Sequence, residues 1–145
     1  MGLLIVCPKE RGNTYRVCRY AAEQLGCTLG IIARNDALDL KKYDTVLLAS
    51  GIYGKQIHES LANWISGLSG DLNSRFYLFT TSLSPGDYQH AHRQTEQLLE
   101  QRGLKLEEDH MNCYGRNFLF FRLRHPNETD RRNVLAWVKQ LGSGV

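Results

Sequence analysis

Apolar positions recur along the chain with two alternating periods. Leu3 to Cys7 is an unbroken apolar run, the pattern of a strand covered on both faces. From Asn13 to Leu25 the spacing becomes helical, with Cys18, Ala21, Ala22 and Leu25 on one stripe and Gly26 as the stop. Leu29 to Ala33 predicts a second strand, and Asp44 to Ala49 (DTVLLA) a third, the clearest buried strand of the set. Ile57, Leu61, Trp64, Ile65 and Leu68 mark a second helix. Arg75 to Thr80 reads as a fourth strand, and Tyr88, Ala91, Thr95, Leu98 and Leu99 line a third helix closed by Gly103. Leu104 to His110 is a more polar strand, as at a sheet edge. The apolar stretch Asn117 to Leu123 fits no element clearly. Pro126-Asn127 opens a last helix with Val134, Trp137, Val138 and Leu141 inward and Gly142 at its end.

Strands alternating with helices imply parallel strands joined by right-handed crossovers. The expected fold is therefore α/β, a doubly wound five-stranded parallel sheet with helices on both faces. At 145 residues the chain suits one domain, 1–145, with no repeat or linker. In such a sheet ligands bind beyond the carboxyl ends of the strands. Three loops leave those ends with unusual chemistry: Pro8 to Thr14, Ser50 to Lys55, and Thr80 to Asp87.

The first loop, PKERGNT, follows a cysteine and feeds a helix N-terminus. Free backbone N–H groups there attract an anion, Gly12 permits close approach, and Asn13, Thr14, Lys9 and Arg11 add donors and charge. The same residues also suit a plain polar turn in which Asn13 or Thr14 caps the helix. A tyrosine-phosphatase loop would need Cys-x5-Arg, but Asn13 stands six residues after Cys7 and Arg11 comes too early. A phosphorelay receiver needs an aspartate where Ser50 stands. Neither the Gly-rich dinucleotide fingerprint nor the nucleotide P-loop occurs.

Composition narrows the classes further. The net charge of +3 is mild, and the arginines near the end (Arg122, Arg124, Arg131, Arg132) come without a nucleic-acid motif, so no nucleic acid is expected. No apolar run approaches the ~20 residues of a membrane span, and no signal peptide is seen. Cys7, Cys18, Cys27 and Cys113 form no Cys-x-x-Cys pair and read as reduced packing residues of a cytoplasmic protein. The five histidines are dispersed, and His90 and His92 fall on different helix faces, so no metal site is expected.

The ordered motifs resemble the flavodoxin family, in its short-chain form. Gly12-Asn13-Thr14 is similar to the family's phosphate loop. Tyr43-Asp44 leading to Gly51-Ile52-Tyr53-Gly54 is similar to its second flavin loop. Cys113-Tyr114-Gly115-Arg116 resembles its Cys-x-Gly-basic stretch, and His125 to Asp130 the start of its last helix. The resemblance implies strand order 2-1-3-4-5 and FMN as cofactor. It also implies one- or two-electron transfer with redox partner proteins and no catalytic residue. On this chain Gly12, Asn13 and Thr14 would wrap the phosphate, with Lys9 and Arg11 adding charge. Ser50, Gly51, Ile52, Tyr53 and Gly54 would line one side of the ring, and Thr81, Ser82, Leu83 and Ser84 the other. Tyr53 is the leading stacking residue, with capping of the sheet as its alternative role; Tyr88 or Tyr114 could instead supply the second face. Lys55 and Arg116 would lie near the ring and favour its reduced form. The chain departs from the family by carrying Pro8, Lys9, Glu10 and Arg11 where hydroxyl residues are usual, and by a slightly basic charge where acidity is common. Two alternative functions follow: a flavin-dependent oxidoreductase acting on NAD(P)H, a quinone or a protoporphyrinogen-like substrate, and a flavin-free binding module. Oligomeric state is not readable.

Overall fold

The run Leu3–Cys7 forms β1; parallel strands flank it on both sides, and its five side chains are buried because helices cover both faces of the sheet. The computed structural model describes residues 2–82, 86–114 and 128–142. The elements after β1 are α1 (Asn13–Leu25), β2 (Thr28–Ile31), β3 (Thr45–Tyr53), β4 (Gln56–Ile57), α2 (Glu59–Ser66), β5 (Arg75–Ser82), α3 (Asp87–Glu100), β6 (Leu106–Tyr114) and α4 (Glu128–Gly142). The sheet order is β2-β1-β3-β5-β6, all parallel, with β4 pairing antiparallel to the end of β3. Setting aside the two-residue β4, this is the expected five-stranded order. Glu107 to Asp109 form an irregularity in β6, where the register against β5 jumps.

Two apolar layers hold the sheet. One face packs Ile5, Leu47, Tyr77 and Phe79 against Val17, Cys18 and Ala21 of α1 and Val134, Trp137 and Val138 of α4. The other packs Val6, Leu48, Phe76 and Leu78 against Leu61 and Ile65 of α2 and Ala91 and Leu99 of α3. Because side chains alternate across a strand, Thr81 falls on the α1 side and Thr80 and Ser82 on the α3 side. That split decides which helix each hydroxyl of β5 meets.

Local chemistry sets the ends of the elements. Gly26 takes the left-handed conformation (φ 66°) and its N–H bonds the Ala22 carbonyl, closing α1 where the sequence predicts. β2 is shorter than expected and stops at Ile31, whose N–H donates to the Asp36 carboxylate at 2.8 Å. The chain then turns through a 3-10 segment, Ile32–Arg34. β3 runs four residues past Ala49, because Gly54 (φ 57°) and Lys55 (φ 66°) make a left-handed two-residue turn that folds β4 back on it. The predicted SGIYGK loop is thus a hairpin. Pro85, the segment 115–127 with Arg116, Arg122, Arg124 and the Asn117–Leu123 stretch, and residues 143–145 lie outside the described residues.

Candidate functional site

β1, β3 and β5 end side by side, and a cleft of about 290 Å³ opens above them at the N-terminus of α1. This size is near the lower end of small-molecule pockets, roughly 300–1,000 Å³. The first loop supplies Lys9, Arg11, Gly12, Asn13 and Thr14, the hairpin Gly51, Ile52 and Tyr53, and the end of β5 Thr81 and Ser82. Pro8 and Tyr15, not singled out as site residues, also line it. Tyr15 directly follows the Gly-Asn-Thr motif on the first turn of α1, which was the available signal.

Gly12 precedes α1 with φ 95°, a conformation that disfavours other residues, and a Cβ there would meet nothing within 4 Å. No side chain caps this helix end. Asn13 Oδ1 instead accepts from the Arg16 guanidinium. The first-turn N–H groups are therefore left for another acceptor. The Thr14 and Thr81 hydroxyls lie 2.9 Å apart, joining the first loop to the end of β5. Pro8, which removes one N–H, uses its carbonyl to accept from Ala33 N at 2.9 Å, and Glu10 pairs with Arg34 at 3.3 Å.

Tyr53 is 50% exposed and folds back over the strand, with its hydroxyl 2.8 Å from where a Gly51 Cβ would stand. Lys9 Nζ sits 5.8 Å from its ring centre, and the His58 ring meets its edge at 5.5 Å. Burial, aided by the Lys9 charge, lowers the His58 pKa. Two predicted residues are not walls of the cleft. Ser50 is fully buried; its hydroxyl donates to the Gly51 carbonyl at 2.6 Å and accepts from His58 N at 2.8 Å, so it anchors the hairpin. Gly54 serves the turn at the hairpin tip. Leu83 and Ser84 lie outside the described residues. Tyr88 sits apart from the cleft, its ring edge on His110 at 5.1 Å.

Cys7 is fully buried beneath the first loop, and its thiol faces the Lys9 carbonyl at 3.6 Å. Burial pushes that thiol up to about 12, which removes it as a nucleophile. The cleft thus joins an uncapped helix terminus to an apolar and aromatic wall, with donors and cations and, among the described residues, no carboxylate or imidazole in its walls.

The match of residues 4–119 to the flavodoxin domain settles the ancestry. The chain belongs to the flavodoxin domain family. This flavodoxin domain is 24% identical over 135 residues to an uncharacterised protein of Methanocaldococcus jannaschii, covering 89% of each chain. Its fold is similar to oxidised flavodoxin 1 of Bacillus cereus (TM-score 0.72, 14% identity, 99% of this chain and 98% of that one). It is also similar to rubredoxin oxygen:oxidoreductase of Desulfovibrio gigas (TM-score 0.65, 15% identity). There it covers 96% of this flavodoxin domain but only 34% of the neighbour, about a third of that protein's length. Among the described residues no helix is long and apolar enough to cross a membrane, and no group of three His, Cys, Asp or Glu is placed to hold a metal.

Proposed function

We propose that this flavodoxin domain binds FMN in the cleft and exchanges electrons with redox partner proteins in the cytoplasm. The observation that carries the reading is the Thr14–Thr81 contact, which closes two loops around the uncapped start of α1 beside Ile52 and Tyr53. The residues present fit the cofactor. The open Gly12 backbone, the first-turn N–H groups, Thr14 and Asn13 suit a phosphate, with Lys9 and Arg11 replacing the missing hydroxyls by charge. Ile52 and Tyr53 suit one side of a planar ring, and Thr81 and Ser82 its polar edge. FMN, when bound, supplies the one- or two-electron chemistry. The chain binds it, orients it and keeps water from the covered ring face.

The test is the visible spectrum of protein purified with excess FMN, followed by fluorescence titration of the apoprotein. Yellow protein that quenches FMN at one equivalent is expected. Colourless protein that takes up no FMN would overturn the reading and favour a flavin-free module. Turnover of NAD(P)H or a quinone by the loaded protein would shift the function toward an oxidoreductase, the class named for the Desulfovibrio gigas neighbour.

A further inference from the structure

A second cavity, of about 300 Å³, lies between α3 and the edge strand β6, away from the cleft. Tyr88, His92 and His110 form its aromatic side; Arg93, Glu96 and Glu108 surround them. The two imidazoles stack at 5.1 Å, and the Nδ1 of His92 is buried with no hydrogen-bond partner. From His110 a line of polar side chains runs across the α3-facing side of the sheet, through a layer otherwise filled by Leu78 and Leu48. His110 Nε2 lies 3.0 Å from the Thr80 hydroxyl. Thr80 donates to Asn112 Oδ1 at 2.7 Å, and Asn112 Nδ2 donates to the Ser82 hydroxyl at 3.2 Å. Ser82 is a wall of the cleft.

The donors in this line have one direction. A hydroxyl has a single proton, and Thr80 spends it on Asn112. Thr80 must therefore accept from His110, which fixes the imidazole as the Nε2–H tautomer. The opposite tautomer would make Thr80 donate to His110 and would require the Asn112 amide to turn end for end, its Nδ2 then donating to Thr80 and its Oδ1 accepting from Ser82. A buried polar line of this kind costs stability unless every member is satisfied, so its members must all point in one sense together, and the Asn112 orientation seen here sets that sense from His110 toward Asn112.

We propose that His110, Thr80 and Asn112 are positioning residues for Ser82. They form a one-way hydrogen-bond relay whose outer end is the α3–β6 cavity and whose inner end is the cleft. The relay lets a change at His110 be felt at the cleft without any movement of the backbone. Its cleft-side role rests on the FMN reading; its existence does not.

The first measurement is the His110 ring tautomer by carbon and nitrogen NMR shifts at pH 7 in the unliganded protein. The Nε2–H form is expected, and Ser82→Ala should shift the His110 ring signals through Asn112 and Thr80. An Nδ1–H ring, or ring signals indifferent to Ser82→Ala, would overturn the relay whatever FMN does. The second is FMN titration. Thr80→Val, which keeps shape and removes the hydroxyl, should weaken FMN about tenfold, a loss of one hydrogen bond. Thr80→Ser should restore binding to within about twofold. Equal affinity in Thr80→Val and wild type would overturn the positioning role. If Thr80→Val does not fold, Asn112→Asp, which loses the amide donor to Ser82, makes the same comparison. Failure of wild type to take up FMN would instead overturn the flavin reading and the cleft-side role, while the tautomer still decides the relay.

Discussion

Gly51 shows how one missing carbon can shape the cleft. A Cβ there would stand 2.8 Å from the Tyr53 hydroxyl, closer than real Cβ contacts allow. The opposing atom is the tip of a side chain that is half exposed, so the tyrosine can swing out at little cost. Gly51 is itself buried in β3, but the nearest atoms its Cβ would crowd all belong to Tyr53, so Gly51→Ala should change unfolding stability by no more than about 1 kcal/mol. It should also uncouple Tyr53 from Lys9 and His58 and weaken FMN. Urea denaturation and FMN titration of the same variant check both halves. Loss of stability without loss of FMN affinity would show that Tyr53 is a strut of the hairpin.

At the scale of elements, the span of α1 was readable to the residue, because the helical spacing that carries Cys18, Ala21 and Ala22 follows directly on the Gly12-Asn13 break and Gly26 supplies the left-handed close. β1 was equally clear from five consecutive apolar residues. β2 was overextended because the Asp36 carboxylate, five residues beyond, takes the Ile31 N–H, a side-chain bond that periodicity does not register. The hairpin in SGIYGK was hidden because two glycines and a lysine read as a loop, while the turn they form is set by backbone conformation. Ser50 was assigned to the cleft from its place after β3, but its hydroxyl is consumed in holding His58. His92 and His110 read as dispersed because only the packing of α3 on β6 brings them together. The pairing has a measurable effect. Burial, with the neighbouring His92, holds the His110 pKa down at about 4, below the ordinary 6.5. The fold favours the neutral ring, so the unfolded chain binds more protons between these values, and stability falls as pH drops from about 6.5 to about 4. Urea midpoints at pH 7 and 4.5 should differ less in His110→Gln, which keeps a donor for Thr80 but does not titrate.

For the whole molecule, the charge around the cleft runs opposite to an acidic carrier. Lys9 and Arg11 are walls of the cleft, Lys55 stands exposed at the hairpin tip, and no described wall residue is a carboxylate. Under the proposed function, association with an acidic electron-transfer protein is expected to slow as salt rises, since screening shortens to about 10 Å at 0.1 M. Lys55→Glu, which leaves the cleft walls intact, should flatten that dependence in stopped-flow measurements. A rate indifferent to ionic strength would indicate docking through some other face.

Three of the four cysteines are buried, Cys7, Cys18 and Cys113, and the burial that silences Cys7 also raises Cys18 and Cys27. Alkylating reagents need the thiolate and access to it. The speed with which a maleimide or iodoacetamide consumes the interior sulfurs under native conditions will thus count excursions that open the α1 side of the sheet. With Cys27 replaced by serine, the protein carries its own clock for local opening, and a cofactor that tightens the loops above Cys7 should slow it.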